Sequence, residues 1–175
     1  MRAGIALGSN IGDRMEALQR ARFEVLRIPG VTLPCLSSSL YETEPVGTEA
    51  DTEGFLNAVI EVDFAGHPAA LLDALQEIEY HMGRPSKRPR NAPRTIDLDI
   101  LYAGNLTLST PSMVIPHPRL HLRRFVLKPL AEIRAELRLP GQHLTVRELL
   151  DALEDPAAVA RAPIQWHPID AHPSS

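Results

Sequence analysis

An α+β sandwich of ferredoxin-like type, with helices packed on one face of an antiparallel sheet, is the fold class this sequence predicts. Three observations lead there. Segments of apolar period 2 and period 3.6 follow in the order strand, helix, strand, strand, helix, strand. Each of the first two helical segments carries a single apolar stripe, as a helix lying on a sheet requires. Glycine and proline punctuate the segments where elements of ordinary length should end.

The elements follow in chain order. Ala3–Leu7 is a short apolar strand closed by Gly8-Ser9-Asn10-Ile11-Gly12-Asp13. A helix runs from there to about Arg27, with Leu18, Ala21, Val25 and Ile28 at helical spacing and Pro29-Gly30 as its stop. Val31–Tyr41 reads as a second strand. A turn-rich acidic stretch, Glu42 to Glu53, precedes a strong strand at Phe55–Phe64. Pro68 opens a second helix with the stripe Leu71, Leu75, Ile78 and Met82, and Gly83 is placed to end it. Arg84–Arg94 holds four arginines, one lysine and three prolines, too polar and too broken to pack. Next come a strand through Asp97 and Asp99, a tight turn at Ala103-Gly104-Asn105 and a returning strand at Leu106–Leu108. A third helix is expected over Arg123–Leu137. Thr145-Val146-Arg147-Glu148 is a capping box opening a last short helix to about Glu154. Residues 1–155 therefore read as one domain. Residues 156–175, with four prolines, read as an extended or disordered tail on which Trp166 could dock.

Composition narrows the function classes. At 175 residues the chain is long enough for one real core, and 44% hydrophobic with 23% charged residues is ordinary for a globular protein. A net charge of −4 argues against a broad nucleic-acid footprint. No apolar run approaches membrane-spanning length, and none near Met1 suits a signal peptide. Cys35 is the only cysteine, so a disulfide framework and a cysteine metal site are excluded and a reducing cytoplasm is expected.

The chemistry concentrates in Pro93-Arg94-Thr95-Ile96-Asp97-Leu98-Asp99-Ile100. Strand alternation puts both carboxylates on one face, roughly 7 Å apart, and Leu98 on the other. Paired carboxylates repel, and a hard oxygen-binding cation relieves the repulsion. Arg88, Arg90, Arg94, His117, Arg119, Arg123 and Arg124 lie in neighbouring segments. Carboxylates for Mg²⁺ with arginines for phosphate oxygens are the parts of phosphoryl-type transfer. Solvated aspartates in ordinary ion pairs would give the same local pattern. Gly8-Ser9-Asn10-Ile11-Gly12 lacks the Gly-Lys-Ser/Thr of a Walker loop and reads as a turn and helix cap. His117 and His121 have zinc-like spacing, but Pro118 intervenes and no third ligand is evident. Ser37-Ser38-Ser39 lacks the glycines of a nucleophile elbow.

Five segments carry a resemblance: Ala6–Gly12, Tyr41–Gly47, Phe55–Ala58, Pro93–Ile100 and Pro116–Leu120. In this order and spacing they resemble the 6-hydroxymethyl-7,8-dihydropterin pyrophosphokinases of folate biosynthesis, over roughly residues 3–140. The resemblance implies a ferredoxin-like fold and transfer of the diphosphate of ATP to the pterin hydroxymethyl group, with release of AMP. It implies ATP and 6-hydroxymethyl-7,8-dihydropterin as ligands, two Mg²⁺ ions on Asp97 and Asp99, a monomer, and neither a nucleic-acid nor a membrane partner. By the same mapping Arg94, His117 and Arg123 match triphosphate-contacting catalytic positions. Gln76, Glu79 and Ile100 match positions near the nucleotide. Thr43, Val46, Phe55, Asn57 and Phe125 match the pterin pocket, where two aromatic rings sandwich the flat ligand. Ser86, Asn91 and Ser112 depart from the pattern, standing where many members carry arginine, tryptophan and arginine. Arg88 or Arg90 is expected to supply the guanidinium missing at Ser86. Two other classes use similar parts. A catalytically dead binding module would lose the intact Asp97, Asp99, Arg94 and His117, and a metal nuclease would want a wider basic surface.

Overall fold

The computed structural model describes residues 1–44, 54–83 and 95–168. Its elements are β1 (Arg2–Ser9), α1 (Arg14–Leu26), β2 (Val31–Ser37), β3 (Tyr41–Thr43), β4 (Phe55–Phe64), α2 (Pro68–His81) and β5 (Asp97–Ala103). They continue with β6 (Leu108–Ser109), β7 (Val114–Ile115), a 3₁₀ turn (Leu120–Leu122), α3 (Arg124–Arg134), α4 (Val146–Ala152) and β8 (Val159–Arg161). The main sheet runs β5-β1-β4-β3-β8, with β2 also on β4, and every pairing in it is antiparallel. An antiparallel sheet with β1 and β4 central and β5 at one edge is the α+β arrangement expected from the element order.

The helices cover both faces of the sheet rather than one. On the first face Leu56, Ala58, Ile60 and Val62 of β4 join Ala3, Ile5 and Leu7 of β1 and Leu18, Val25, Leu71 and Leu75 from α1 and α2. On the second, Val59, Leu101 and Tyr102 pack with Val126, Leu127 and Leu130 of α3 and Val146 of α4. The reason is legible in β4, which is buried at almost every position and so needs a layer on each side.

Several local expectations are corrected. The second strand breaks into β2 and β3 at residues 38–40, where the Ser38 hydroxyl accepts from Val59 N–H at 3.0 Å and Ser39 N–H turns to the Glu132 carboxylate at 3.0 Å. Within β2 the pairing with β4 shifts register between Thr32 and Leu36, around Pro34, which has no N–H to donate. The turn after Ala103 forms, with Gly104 N–H donating to Arg2 O at 2.7 Å, but the chain does not return along β5. Instead β6 pairs with β7, and the outer edge of β5 is taken up by Glu79 at Leu98 N–H and by His117 N–H at Leu101 O. The third helix stops at Arg134, because the N–H groups of Arg147 and Val146 take the carbonyls of Ala135 and Leu137. Gly83 follows the α2 C-cap at φ 97°, a left-handed conformation that glycine adopts without strain. Thr145 and Glu148 form the reciprocal capping box of α4.

The segment after Pro156 contributes β8, whose Val159 pairs with Thr43 of β3. Trp166 packs against the first core, donates from Nε1 to Ser38 O at 2.7 Å and lies 4.9 Å below the Arg22 guanidinium. Among the described residues no helix is long and apolar enough to cross a membrane.

Candidate active site

Asp97 and Asp99 stand half-buried on one side of β5, while Ile96, Leu98 and Ile100 are buried on the other, in the α1/α2 core. Sheet register then assembles a row on the second face. Asp97 lies opposite Gly8 of β1, Gly8 opposite Asn57 of β4, and Asn57 opposite Tyr41 of β3. Two strand spacings put Asp97 and Asn57 about 10 Å apart. Gly8 between them has no side chain. A Cβ there would sit 3.2 Å from Asn57 Oδ1 and 3.7 Å from the Phe55 ring, so glycine keeps the floor of the row open.

At the β4 end, Asn57 is only 6% exposed, and its Nδ2 donates to Thr43 Oγ1 at 3.2 Å. Thr43 in turn donates to the Phe55 carbonyl at 3.5 Å. Thr43, Phe55 and Asn57 are thus brought together by β3–β4 pairing, which sets Thr43 opposite Phe55. Phe125 opens α3 on the same sheet face, half-buried against the second core, with the Arg123 guanidinium 5.5 Å from its ring centroid. Val46 and Arg94, with Arg88 and Arg90, lie outside the described residues.

The cations separate into two groups. His117 lies within electrostatic range of Asp97, and Arg123 within range of both aspartates. Burial lowers the Arg123 pKa and Arg119 adds to the effect, while Asp99 and Asp97 oppose it. Burial also lowers the His117 pKa, helped by Arg123 and Arg119 and opposed by Asp97. Arg119, which the sequence marks only as a neighbour, lies within electrostatic range of both. Its signal in the sequence is the His-Pro-Arg turn, in which Arg119 N–H donates to His117 Nδ1 at 3.1 Å. That bond leaves the neutral ring its proton on Nε2, a donor suited to a phosphate oxygen. Arg124, by contrast, turns away, with Nη2 on Leu153 O at 2.7 Å and Nε on Asp155 O at 3.2 Å. The expectation that Arg124 surrounds the acidic pair is corrected accordingly.

The nucleotide positions also differ in character. Gln76 is exposed on α2. Glu79, three residues on, is 2% exposed, and its Oε1 accepts from Leu98 N–H at 2.7 Å. The Ile100 side chain belongs to the α1/α2 core, so only its main chain could serve a nucleotide.

A cavity of about 600 Å³ lies at the other end of the same sheet face, lined by Arg2, Glu61, Tyr102, Glu132 and Arg134. Its buried carboxylate is already committed. Glu61 accepts from Arg134 Nε at 2.9 and 3.0 Å, from Arg134 Nη2, and from Tyr102 Oη at 2.6 Å. That arrangement braces α3 on the sheet and leaves little chemistry for a substrate.

The lowered His117 pKa has a checkable consequence. The folded protein takes up this proton less readily than the unfolded chain, so stability falls as pH drops through the ordinary value of 6.5. In the free protein the His117 ring should titrate below 6.5 by NMR. Titration at or above that value would contradict the geometry.

The comparisons with known proteins identify the family. The family model described as 7,8-dihydro-6-hydroxymethylpterin-pyrophosphokinase matches residues 4–135. The 2-amino-4-hydroxy-6-hydroxymethyldihydropteridine pyrophosphokinase of Bacillus subtilis is 46% identical over 131 residues, 75% of this chain and 77% of its own. The Pseudomonas aeruginosa protein of the same name is 43% identical over 152 residues, 86% of this chain and 91% of its own. A crystal structure of Plasmodium falciparum HPPK-DHPS superposes with a TM-score of 0.67 at 16% identity, over 86% of this chain and 42% of that longer one. This chain therefore spans less than half of that solved protein, and the likeness there is one of fold. On the family match and these identities, the chain belongs to the 7,8-dihydro-6-hydroxymethylpterin-pyrophosphokinase family and is an ATP-dependent diphosphotransferase acting on hydroxymethyldihydropterin in folate synthesis.

Proposed function

We propose that the open row from Asp97 across Gly8 to Asn57 is where this transfer takes place, triphosphate at the β5 end and pterin at the β4 end. The observation that carries the reading is the register, which sets acids and amide on one face with a glycine between them. Asn57 would read the polar edge of the pterin with one donor and one acceptor. Phe55 and Phe125 would stack on its faces, and Thr43 and Val46 would close its rim. His117, Arg123 and Arg94 would hold the triphosphate, Gln76 and the Ile100 main chain would lie on the nucleotide side, and Glu79 would stand behind β5 without touching the nucleotide.

Asp97 and Asp99 suit Mg²⁺. The ion takes one or two carboxylates and fills its other positions from water and phosphate. Among the described residues no third acid, histidine or cysteine completes a protein-only cage, which fits an ion completed by substrate. We take two ions as the number. When bound, Mg²⁺ neutralises phosphate charge and acidifies the attacking hydroxyl. The pterin hydroxyl oxygen would form its bond to the β-phosphorus, losing its proton to solvent, as the bond from that phosphorus to the bridging oxygen of the α-phosphate breaks and AMP leaves with that oxygen. His117 Nε2–H and the Arg123 guanidinium would meet charge that grows on those oxygens. Residues 1–155 are taken as the catalytic unit and 156–175 as its Pro-rich extension. A monomer in the cytoplasm completes the reading, and the free Cys35 thiol fits a reducing compartment.

The test is product analysis with ATP and Mg²⁺. AMP should form only when hydroxymethyldihydropterin is present, matched mole for mole by pterin diphosphate. AMP without pterin, or ADP with pterin, would contradict the reading. Asn57→Ala should weaken pterin binding by about 1–3 kcal/mol while leaving ATP binding near wild type, since it strands the polar edge of only one ligand. Calorimetry showing equal pterin affinity in both proteins would remove Asn57 from the pocket.

A further inference from the structure

Glu79 is a buried acid whose position has an unusual target. It rises from α2, on the far side of the sheet from the proposed reaction row, and is 2% exposed. Its Oε1 accepts, at 2.7 Å, the N–H of Leu98, the residue between Asp97 and Asp99. Among the described residues β5 is the edge strand, paired through this stretch with β1 alone. A β-strand held on one side only can twist and shift, and its outer N–H groups need partners when buried. Here a carboxylate on a helix supplies the acceptor that a neighbouring strand would otherwise give. Side chains at 97 and 99 leave the backbone on either side of that anchored amide.

We propose that Glu79 is a positioning residue that fixes the pitch of β5 at Leu98 and so sets the separation and aim of the Asp97 and Asp99 carboxylates. The claim rests on the proposed role of those two aspartates, and it gives Glu79 a task other than direct nucleotide contact. A side chain aligning metal-binding carboxylates from behind acts on the ion's affinity and on turnover, typically by 10- to 100-fold. Pterin binding is not in its path, because Phe55 and Asn57 lie on β4.

Two variants test it. Glu79→Gln keeps an oxygen acceptor without the charge, and Glu79→Met keeps the bulk without an acceptor. The first readout needs no metal or substrate: amide hydrogen exchange at Leu98 should stay slow in Glu79→Gln and accelerate at least tenfold in Glu79→Met. The second is kinetic. Glu79→Gln should retain turnover within about threefold of wild type. Glu79→Met should lose about 10- to 100-fold in kcat and need more Mg²⁺ for half-maximal rate, with an unchanged KM for the pterin. Wild-type kcat and Mg²⁺ dependence in Glu79→Met would overturn the proposal. Loss of more than tenfold in Glu79→Gln with Leu98 still protected would overturn it as well, since a charge contact would then be what matters. Glu79→Gln decides the question even if Glu79→Met fails to fold. The proposal fails alone if Asp97→Ala is inactive while Glu79→Met is not; both readings fail if Asp97→Ala remains active.

Discussion

Alanine at Asp97 or at Asp99 should lower turnover by about a thousandfold or more while the protein stays folded, as expected for the loss of a group that stabilises transition-state charge. The size follows from what the carboxylates would do. They place positive charge where the triphosphate is most negative, and neither a water nor the neighbouring aspartate can supply the missing oxygen in the same place. The fold should tolerate the change because both side chains stand half-buried on the strand face opposite the apolar core. Two like charges about 7 Å apart also repel, so losing one relieves strain between them. Steady-state rates beside thermal melts check both halves. Turnover within tenfold of wild type in both variants would remove the aspartates from the chemistry.

The second large effect is on stability, at the other end of the same face. Glu61→Ala should destabilise the protein by about 3 kcal/mol, the low end for breaking a buried ion pair, because Arg134 retains 27% side-chain exposure. It leaves the Arg134 guanidinium and the deeply buried Tyr102 hydroxyl without their acceptor. For a chain of this size that is a fall in Tm of roughly 6–12 °C. The pH dependence has a defined sign. Burial pushes the Glu61 carboxyl up, but hydrogen bonds from Arg134 and Tyr102 more than offset this and hold it below 4.5. A carboxyl with a lowered folded value adds stability above the unfolded value and loses it as pH falls. The gap between wild type and Glu61→Ala should therefore be full at neutral pH and shrink below pH 4.5. Equal melting temperatures at pH 7 would show that the triad holds nothing together.

Much of the site could be read from the chain because strand alternation is a local rule. Leu98 and Ile100 flank Asp99 with branched apolar side chains, and that alone puts both carboxylates on one face. Thr43, Phe55 and Asn57 could be grouped only through the family resemblance, since β3–β4 register is a long-range fact. Glu79 shows the limit from the other direction. Its helical position, four residues after Leu75, shares the buried face of α2 with Pro68, Leu71 and Leu75, yet an acid there reads as solvated until the edge N–H of Leu98 is seen to give it a partner inside. Periodicity sorts residues by polarity and carries no information about a backbone donor nineteen residues away. Arg123 and Arg124 are equally cationic in the sequence. The break in chain direction before α3 sends the first toward Asp99 and the second to Leu153 and Asp155. The second helical layer is not legible in the sequence for a similar reason, because an apolar stripe such as Val126, Leu127 and Leu130 does not say which sheet face it will cover. In the sequence Gly8 opens a turn, and only pairing with Asn57 and Asp97 makes it the floor of the row.

The most direct test of the central claim is paramagnetic broadening in the folded protein by Mn²⁺ bound to a non-hydrolysable ATP analogue. Amide signals of Gly8, Asp97, Leu98 and Asp99 should broaden first and those of Asn57 less. Those around the Arg2, Glu61 and Arg134 cavity, four residues or more farther along β4, should stay sharp. Broadening centred on Gly104, Arg134 and Glu136, with the Asp97 and Asp99 signals unaffected, would contradict the account.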